Sequence, residues 1–257
     1  MLAFRRPYSA CPGRLARVTL THVARDPLAD ASDLVAELFP HARWALLTGS
    51  VITNMRTAGS DLDIVVVLPD DDPRAPHRDS RYFRRWPVEL FVHDASTLAQ
   101  YLAKDLPTRR PTLHRMVATG ILLTGDDPHA ARVQAECAKV LAGGPPPITD
   151  EEREHARYAL TDLLDDLTHA EDPGERAVVA ATAWTRAAEQ ALALGGHRTG
   201  TGKWLLRELR TMDPAFAERW IAAHGDAEAV AAFVREVLDT AGGALFAGYR
   251  VMGERPA

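Results

Sequence analysis

Leu46-Leu47-Thr48-Gly49-Ser50 and, shortly after, Asp61-Leu62-Asp63-Ile64-Val65-Val66-Val67 form the stretch on which the architecture of this 257-residue chain turns. One apolar run ends in Gly-Ser, and a second opens with two carboxylates. The pattern predicts a buried strand over residues 43–48, a short helix over 51–56 and a second strand over 61–68. Side chains alternate across a strand, so Asp61 and Asp63 share one face about 7 Å apart, while Leu62, Ile64 and Val66 face a core. Asp is depleted in strands. Two on one face need compensation, and Mg²⁺ supplies it, because hard oxygen ligands suit it and its charge offsets their repulsion. The plainer alternative is a turn at Ser60-Asp61, with Asp63 solvated at a sheet edge. The upstream Gly49-Ser50 favours the first option. Gly allows close backbone approach, and a following helix would offer free N–H groups to a phosphate.

A third strand is expected over residues 88–93, with Val88, Leu90 and Val92 on one face and Glu89, Phe91 and His93 on the other. Glu89 is then an acid inside an apolar strand, expensive to bury unpaired. It has a choice between a metal site and a salt bridge to a nearby arginine. Residues 74–86 are rich in Arg and aromatics and suggest a loop or helix flanking a nucleotide pocket.

Gly49-Ser50 and Ser60-Asp61-Leu62-Asp63-Ile64 resemble the signature of the polymerase-β-type nucleotidyltransferase superfamily. The chain looks most like the small bacterial antibiotic nucleotidyltransferases that modify aminoglycosides and lincosamides. The motif resemblance spans residues 44–94. It implies an α+β fold, in which a nucleotidyltransferase domain with a small mixed β-sheet flanked by helices precedes an all-helical bundle. It also implies a Mg²⁺-dependent enzyme that moves NMP from ATP or another NTP onto a hydroxyl of a small molecule, releasing pyrophosphate, with antibiotic resistance as one role. By this resemblance Asp61, Asp63 and Glu89 are the catalytic and metal-binding carboxylates, Glu89 serving as metal ligand, general base or both. Gly49 and Ser50 would bind the β- and γ-phosphates, with Ser60 as a phosphate contact or a turn residue. Lys203, in Gly200-Thr201-Gly202-Lys203-Trp204, is placed to reach the triphosphate. Arg56 is a further phosphate candidate or a loop cap. Glu189 would grip a cationic substrate, or else pair with Arg186 on its own helix. Two other functions remain open, a protein- or tRNA-modifying enzyme of toxin–antitoxin type and a catalytically silent nucleotide-binding module.

Composition narrows these options. Apolar residues make up 46% and charged residues 25%, ordinary for a globular protein. A net charge of −5 argues against a nucleic-acid partner. Cys11 and Cys137 lack the spacing of a zinc site and fit a reducing, cytoplasmic setting. No apolar run approaches the ~18 residues of a membrane span. Residues 1–25 carry five arginines before the first acid and are expected to form an N-terminal arm, with a possible strand over 16–20. Residues 26–142 would be the nucleotidyltransferase domain. The linker Gly143-Gly144-Pro145-Pro146-Pro147 separates it from a helical substrate- and nucleotide-binding domain over 148–257. In the first domain, helices are expected over 34–39, 112–123 and 129–141. In the second, a capping box at Thr149 to Glu152 opens the first of five helices, and Pro173-Gly174, Lys203, Asp213-Pro214 and Asp226 open the rest. Oligomeric state is not legible.

Overall fold

The computed structural model describes residues 26–253, so the expectations for the arm over 1–25, including Cys11 and the strand over 16–20, lie outside the described residues. Asp26 caps the first helix, α1 (Pro27–Leu38), by accepting the N–H groups of Leu28 and Ala29. That cap sets the start a full turn earlier than the Asp30–Asp33 cluster suggests.

Five strands follow: β1 (Trp44–Thr48), β2 (Leu62–Val67), β3 (His77–Phe83), β4 (Trp86–His93) and β5 (Ile121–Leu122). They form one mixed sheet in the order β3-β4-β2-β1-β5, with β2 parallel to β4 and the other pairings antiparallel. The near-continuous apolar runs of β1 and β2 have a simple cause, burial on both faces. Ala45, Leu47, Leu62, Ile64, Val66, Val88, Leu90 and Val92 pack with Ala31, Leu34 and Val35 of α1. On the opposite face, Trp44, Leu46, Val65 and Val67 meet three further helices, α2 (Ala95–Asp105), α3 (Thr112–Thr119) and α4 (Pro128–Ala142), through Leu98, Leu113, Val117, Val133 and Cys137.

Several expectations are corrected. The segment after Ser50 is only a 3-10 turn, Ser50–Ile52, because Thr53 is already extended. The Arg- and aromatic-rich segment is neither loop nor helix but the edge strand β3. Its exposed Arg78 and Arg81 and half-buried Asp79 leave no apolar pattern, and such charges protect an edge from pairing with another chain. The helix expected to run to residue 123 stops at Thr119. Leu122 and Ile121 instead pair with Leu46 and Leu47 as β5. Helix α2 has no counterpart among the expected elements.

Beyond residue 149 the expected helices form with small shifts: α5 (Asp150–His169), α6 (Pro173–Leu194), α7 (Lys203–Met212), α8 (Pro214–Ala222) and α9 (Ala227–Ala241). They enclose their own core, which includes Leu160, Leu167, Ala187, Leu192, Leu209, Val234 and Leu238. At its side the half-buried Trp184 stacks on the buried Trp220 with ring centroids 4.0 Å apart. Each indole N–H donates to the other residue's backbone carbonyl, at 2.8 and 2.9 Å, so neither buried donor is left unsatisfied.

Arginines join this bundle to the sheet-bearing part. Arg109 donates to both carboxylate oxygens of Glu152 and to the carbonyls of Pro146 and Pro147. Arg115 pairs with Glu208, and its guanidinium lies 5.1 Å from the ring centroid of Trp204. Helix α7 is thereby held against α3. Among the described residues no helix is long and apolar enough to cross a membrane.

Candidate active site

Parallel pairing of β2 with β4 sets Asp63 directly beside Glu89, and antiparallel pairing with β1 sets Thr48 beside Asp63 on its other side. Asp61 stands just before β2 begins. One carboxylate oxygen from each of Asp61, Asp63 and Glu89 lies within 4.8 Å of the other two. Asp63 and Glu89 belong to the sheet face covered by α2, α3 and α4, at the end those helices leave open.

Gly49 carries a constraint that no other residue type satisfies. Its φ of +83° lies in a region costly for L side chains, and a Cβ there would sit 2.1 Å from Oδ2 of Asp63. The backbone at Gly49 therefore passes directly over the Asp63 carboxylate. Ser50 follows, and its hydroxyl shares a 3.0 Å hydrogen bond with the hydroxyl of Ser60. Ser60 is buried and its Oγ accepts the N–H of Thr57, so it braces the turn that returns the chain to Asp61.

Crowding of negative charge shows in Asp63. Burial first, then Asp61 and Glu89, push its carboxyl up to about 7, against the pull of Lys203 and Arg78. Three carboxylates that destabilise one another's charge form a donor set suited to a hard divalent cation, which would reverse the penalty. The residues present fit such an ion.

Two cations flank the triad. Arg78 of β3 donates to Oε2 of Glu89 at 2.5 Å, and its guanidinium lies 4.8 Å from the ring centroid of Phe91. Glu89 thus has both partners foreseen for it, a place in the acidic cluster and an arginine. Arg78 went unnoticed among the arginines of its segment, because only the β3–β4 register reveals which one meets Glu89. Lys203 begins α7, and its charge is felt at Asp63 across the gap between the two cores. The preceding loop is tight, since a Cβ on Gly200 would come within 2.6 Å of the Trp204 backbone.

The remaining candidates are engaged elsewhere. Arg56 lies 5.3 Å from the Trp86 ring centroid. Glu189 accepts from Arg110 at 3.1 Å and from Arg186 at 3.2 Å, so the expected helical pair forms and a second arginine ties it to the sheet-bearing part.

No family model matches the chain, and no curated protein matches it. Among solved structures it is similar to a nucleotidyltransferase-like protein from Exiguobacterium sibiricum, at 10% identity. The likeness covers 84% of this chain and 75% of that one, with a TM-score of 0.43.

Proposed function

We propose that this chain is a Mg²⁺-dependent nucleotidyltransferase that moves the NMP of ATP, or of another NTP, onto a hydroxyl of a small molecule. The observation that carries this function is the cluster of Asp61, Asp63 and Glu89 within 4.8 Å, with the Gly49 backbone against Asp63. Residues 26–142 act as the catalytic domain, and 148–257 supply the helical wall of the cleft.

Asp61, Asp63 and Glu89 would hold the metal. Bound there, a divalent cation supplies charge neutralisation to a triphosphate and to the phosphoryl group in transfer. Gly49, free of a Cβ, and Ser50 receive the outer phosphates, with Ser60 fixing the Ser50 hydroxyl rather than touching phosphate itself. Lys203 counters the charge of the departing pyrophosphate. Glu89 lies on the opposite side of Asp63 from Gly49, where it accepts the proton of the acceptor hydroxyl. In that transfer the acceptor oxygen bonds to the α-phosphorus, the α–β bridging bond breaks, and pyrophosphate leaves. Arg78 offsets part of the negative charge around Glu89. Arg56 and Glu189 act through structure, Arg56 against Trp86 and Glu189 between Arg110 and Arg186.

Calorimetric titration of ATP with and without Mg²⁺, paired with pyrophosphate release over a panel of hydroxyl acceptors that includes aminoglycosides and lincosamides, tests the proposal. Mg²⁺-dependent binding that disappears in Asp63→Asn supports it. Binding of ATP that ignores both Mg²⁺ and Asp63→Asn would sink it.

A further inference from the structure

A cavity of about 280 Å³ adjoins the triad on the same face of the sheet. Its floor is Phe91 and His93, the two residues of β4 that follow Glu89 on that face, and its rim includes Arg78, the partner of Glu89. Tyr101 of α2 and Leu113 and Met116 of α3 line it as well. Its surfaces are therefore largely aromatic and aliphatic.

The polar groups are few and unequal. Asp105, the acid in the lining, is committed, because its carboxylate accepts the N–H of Leu113 at 2.7 Å. Arg78 is cationic. His93 is only 5% exposed, and its Nδ1 has no hydrogen-bond partner. Burial holds its pKa below the ordinary histidine value, so the ring is neutral near pH 7. An unpartnered polar atom this deep is costly, and here it belongs to a ring lining an open cavity beside the candidate catalytic carboxylate.

Position across the sheet gives the cavity its role. Gly49 ends β1, Asp63 follows on β2, Glu89 on β4, and the cavity lies beyond, between β3, β4, α2 and α3. In-line transfer places the entering and leaving oxygens on opposite sides of the phosphorus. With the outer phosphates drawn towards Gly49, Ser50 and Lys203, the entering hydroxyl comes from the Glu89 side. Volume and lining set its chemistry. The cavity is smaller than the ~300–1,000 Å³ of common drug-sized sites, which suits a body of one or two rings. A polycationic aminosugar would meet Arg78 and no uncommitted carboxylate in the lining.

Building on the nucleotidyltransferase function proposed above, we infer that this cavity is the acceptor subsite and that the acceptor is a flat, largely apolar hydroxyl compound of the phenol or naphthol kind. Phe91 and Tyr101 pack against its ring, and its hydroxyl is presented to Glu89.

The probe is 2-naphthol, titrated by its own fluorescence into the full chain with and without Mg²⁺ and a non-hydrolysable ATP analogue. Thr112→Trp narrows the cavity from the first turn of α3, at an exposed position on its rim that tolerates a larger side chain. Tyr101→Ala removes the lining ring of α2 at an exposed position and keeps the test available should the tryptophan variant not fold. Support is naphthol binding to wild type that weakens at least tenfold in either variant, with Mg²⁺–ATP affinity unchanged and naphthol still bound beside the analogue. No naphthol binding while Mg²⁺–ATP binds normally overturns the acceptor subsite and leaves the nucleotidyltransferase function standing. Displacement of naphthol by the analogue assigns the cavity to the nucleotide and overturns it too. Naphthol binding with no ATP binding removes the nucleotidyltransferase function and the acceptor role together. Nucleotidyl transfer to an aminoglycoside at a rate indifferent to both variants likewise overturns the inference.

Discussion

Replacing Asp63 by Asn should stabilise the fold at neutral and alkaline pH when divalent cations are chelated. In wild type, burial and the charges of Asp61 and Glu89 raise the Asp63 carboxyl from 3.8 to about 7. Between those values the folded chain keeps a proton that the unfolded chain has released. Stability therefore falls as pH rises from about 4 to about 7, and the penalty is constant above that. At ~1.4 kcal/mol per pH unit the full gap amounts to at most about 4 kcal/mol. The side chain is part-exposed, so solvent screening reduces the expected loss to about 2 kcal/mol. Asn keeps the shape and removes the charge. Urea unfolding in EDTA across pH 4–8.5 measures both chains. The expected result is curves that meet near pH 4 and part by ~2 kcal/mol at pH 8, the variant being the more stable. Added Mg²⁺ at pH 8 should then raise wild type and leave the variant unmoved. Parallel curves, or a variant less stable at pH 8, would refute the reasoning, since the three carboxylates would not be repelling one another as their geometry requires.

Other predictions follow from the same structure. Gly49→Ala combines a backbone strain of ~1–3 kcal/mol with displacement of Asp63, so urea midpoints should fall and nucleotidyl transfer should drop at least a hundredfold. Lys203→Met should weaken Mg²⁺–ATP binding about tenfold, some 1.4 kcal/mol, with unfolding unchanged, as read by calorimetry and urea titration. Arg109→Ala removes a paired carboxylate contact and two carbonyl contacts, and should cost ~2–3 kcal/mol; Arg109→Lys should restore little, because the two-pronged geometry is lost. Glu152, held down to about 2 chiefly by Arg109, contributes stability that is complete above pH 4.5 and fades as pH falls towards 2. Arg109→Ala should therefore flatten the acid limb of the stability profile.

The triad was legible because its members announce themselves by position, acids at the head of an apolar run and inside another. Helix starts were legible where Asp or Thr caps precede a periodic run, as at Thr149, Asp213 and Asp226. Three features carried no such signal. Helix α2 opens with a capping box of Asp94 and Thr97, without the glutamate that usually marks one. The β3–β4 hairpin turns through Arg84 and Arg85, both at positive φ, where Asn-Gly is the familiar sign. Arg84 holds that turn through Asp30 at 2.9 Å and Asp33 at 2.6 Å, residues of α1 far away in the chain. Strand β5 begins after Gly120, where a Cβ would lie 2.8 Å from that of Leu46, a closeness set by β1 rather than by local sequence. For the hairpin and β5 the decisive partner is remote in sequence, so local pattern could not reveal it, whereas α2 hides behind an uncommon choice of capping residues. Arg78 is the functional counterpart, its meeting with Glu89 fixed by strand register.

The stacked pair of Trp184 and Trp220 also makes the molecule self-reporting. Two stacked indoles, their planes nearly parallel and their centroids 4.0 Å apart, couple their electronic transitions, so they should give a paired positive and negative band in circular dichroism that isolated tryptophans lack. Trp44 and Trp86 sit singly on opposite faces of the sheet and report the other core by emission alone. An observer can therefore follow the bundle by the coupled band and the whole chain by tryptophan emission in one cuvette without attaching a dye. Whether the two signals fade together tells how tightly the arginines between them couple the two halves.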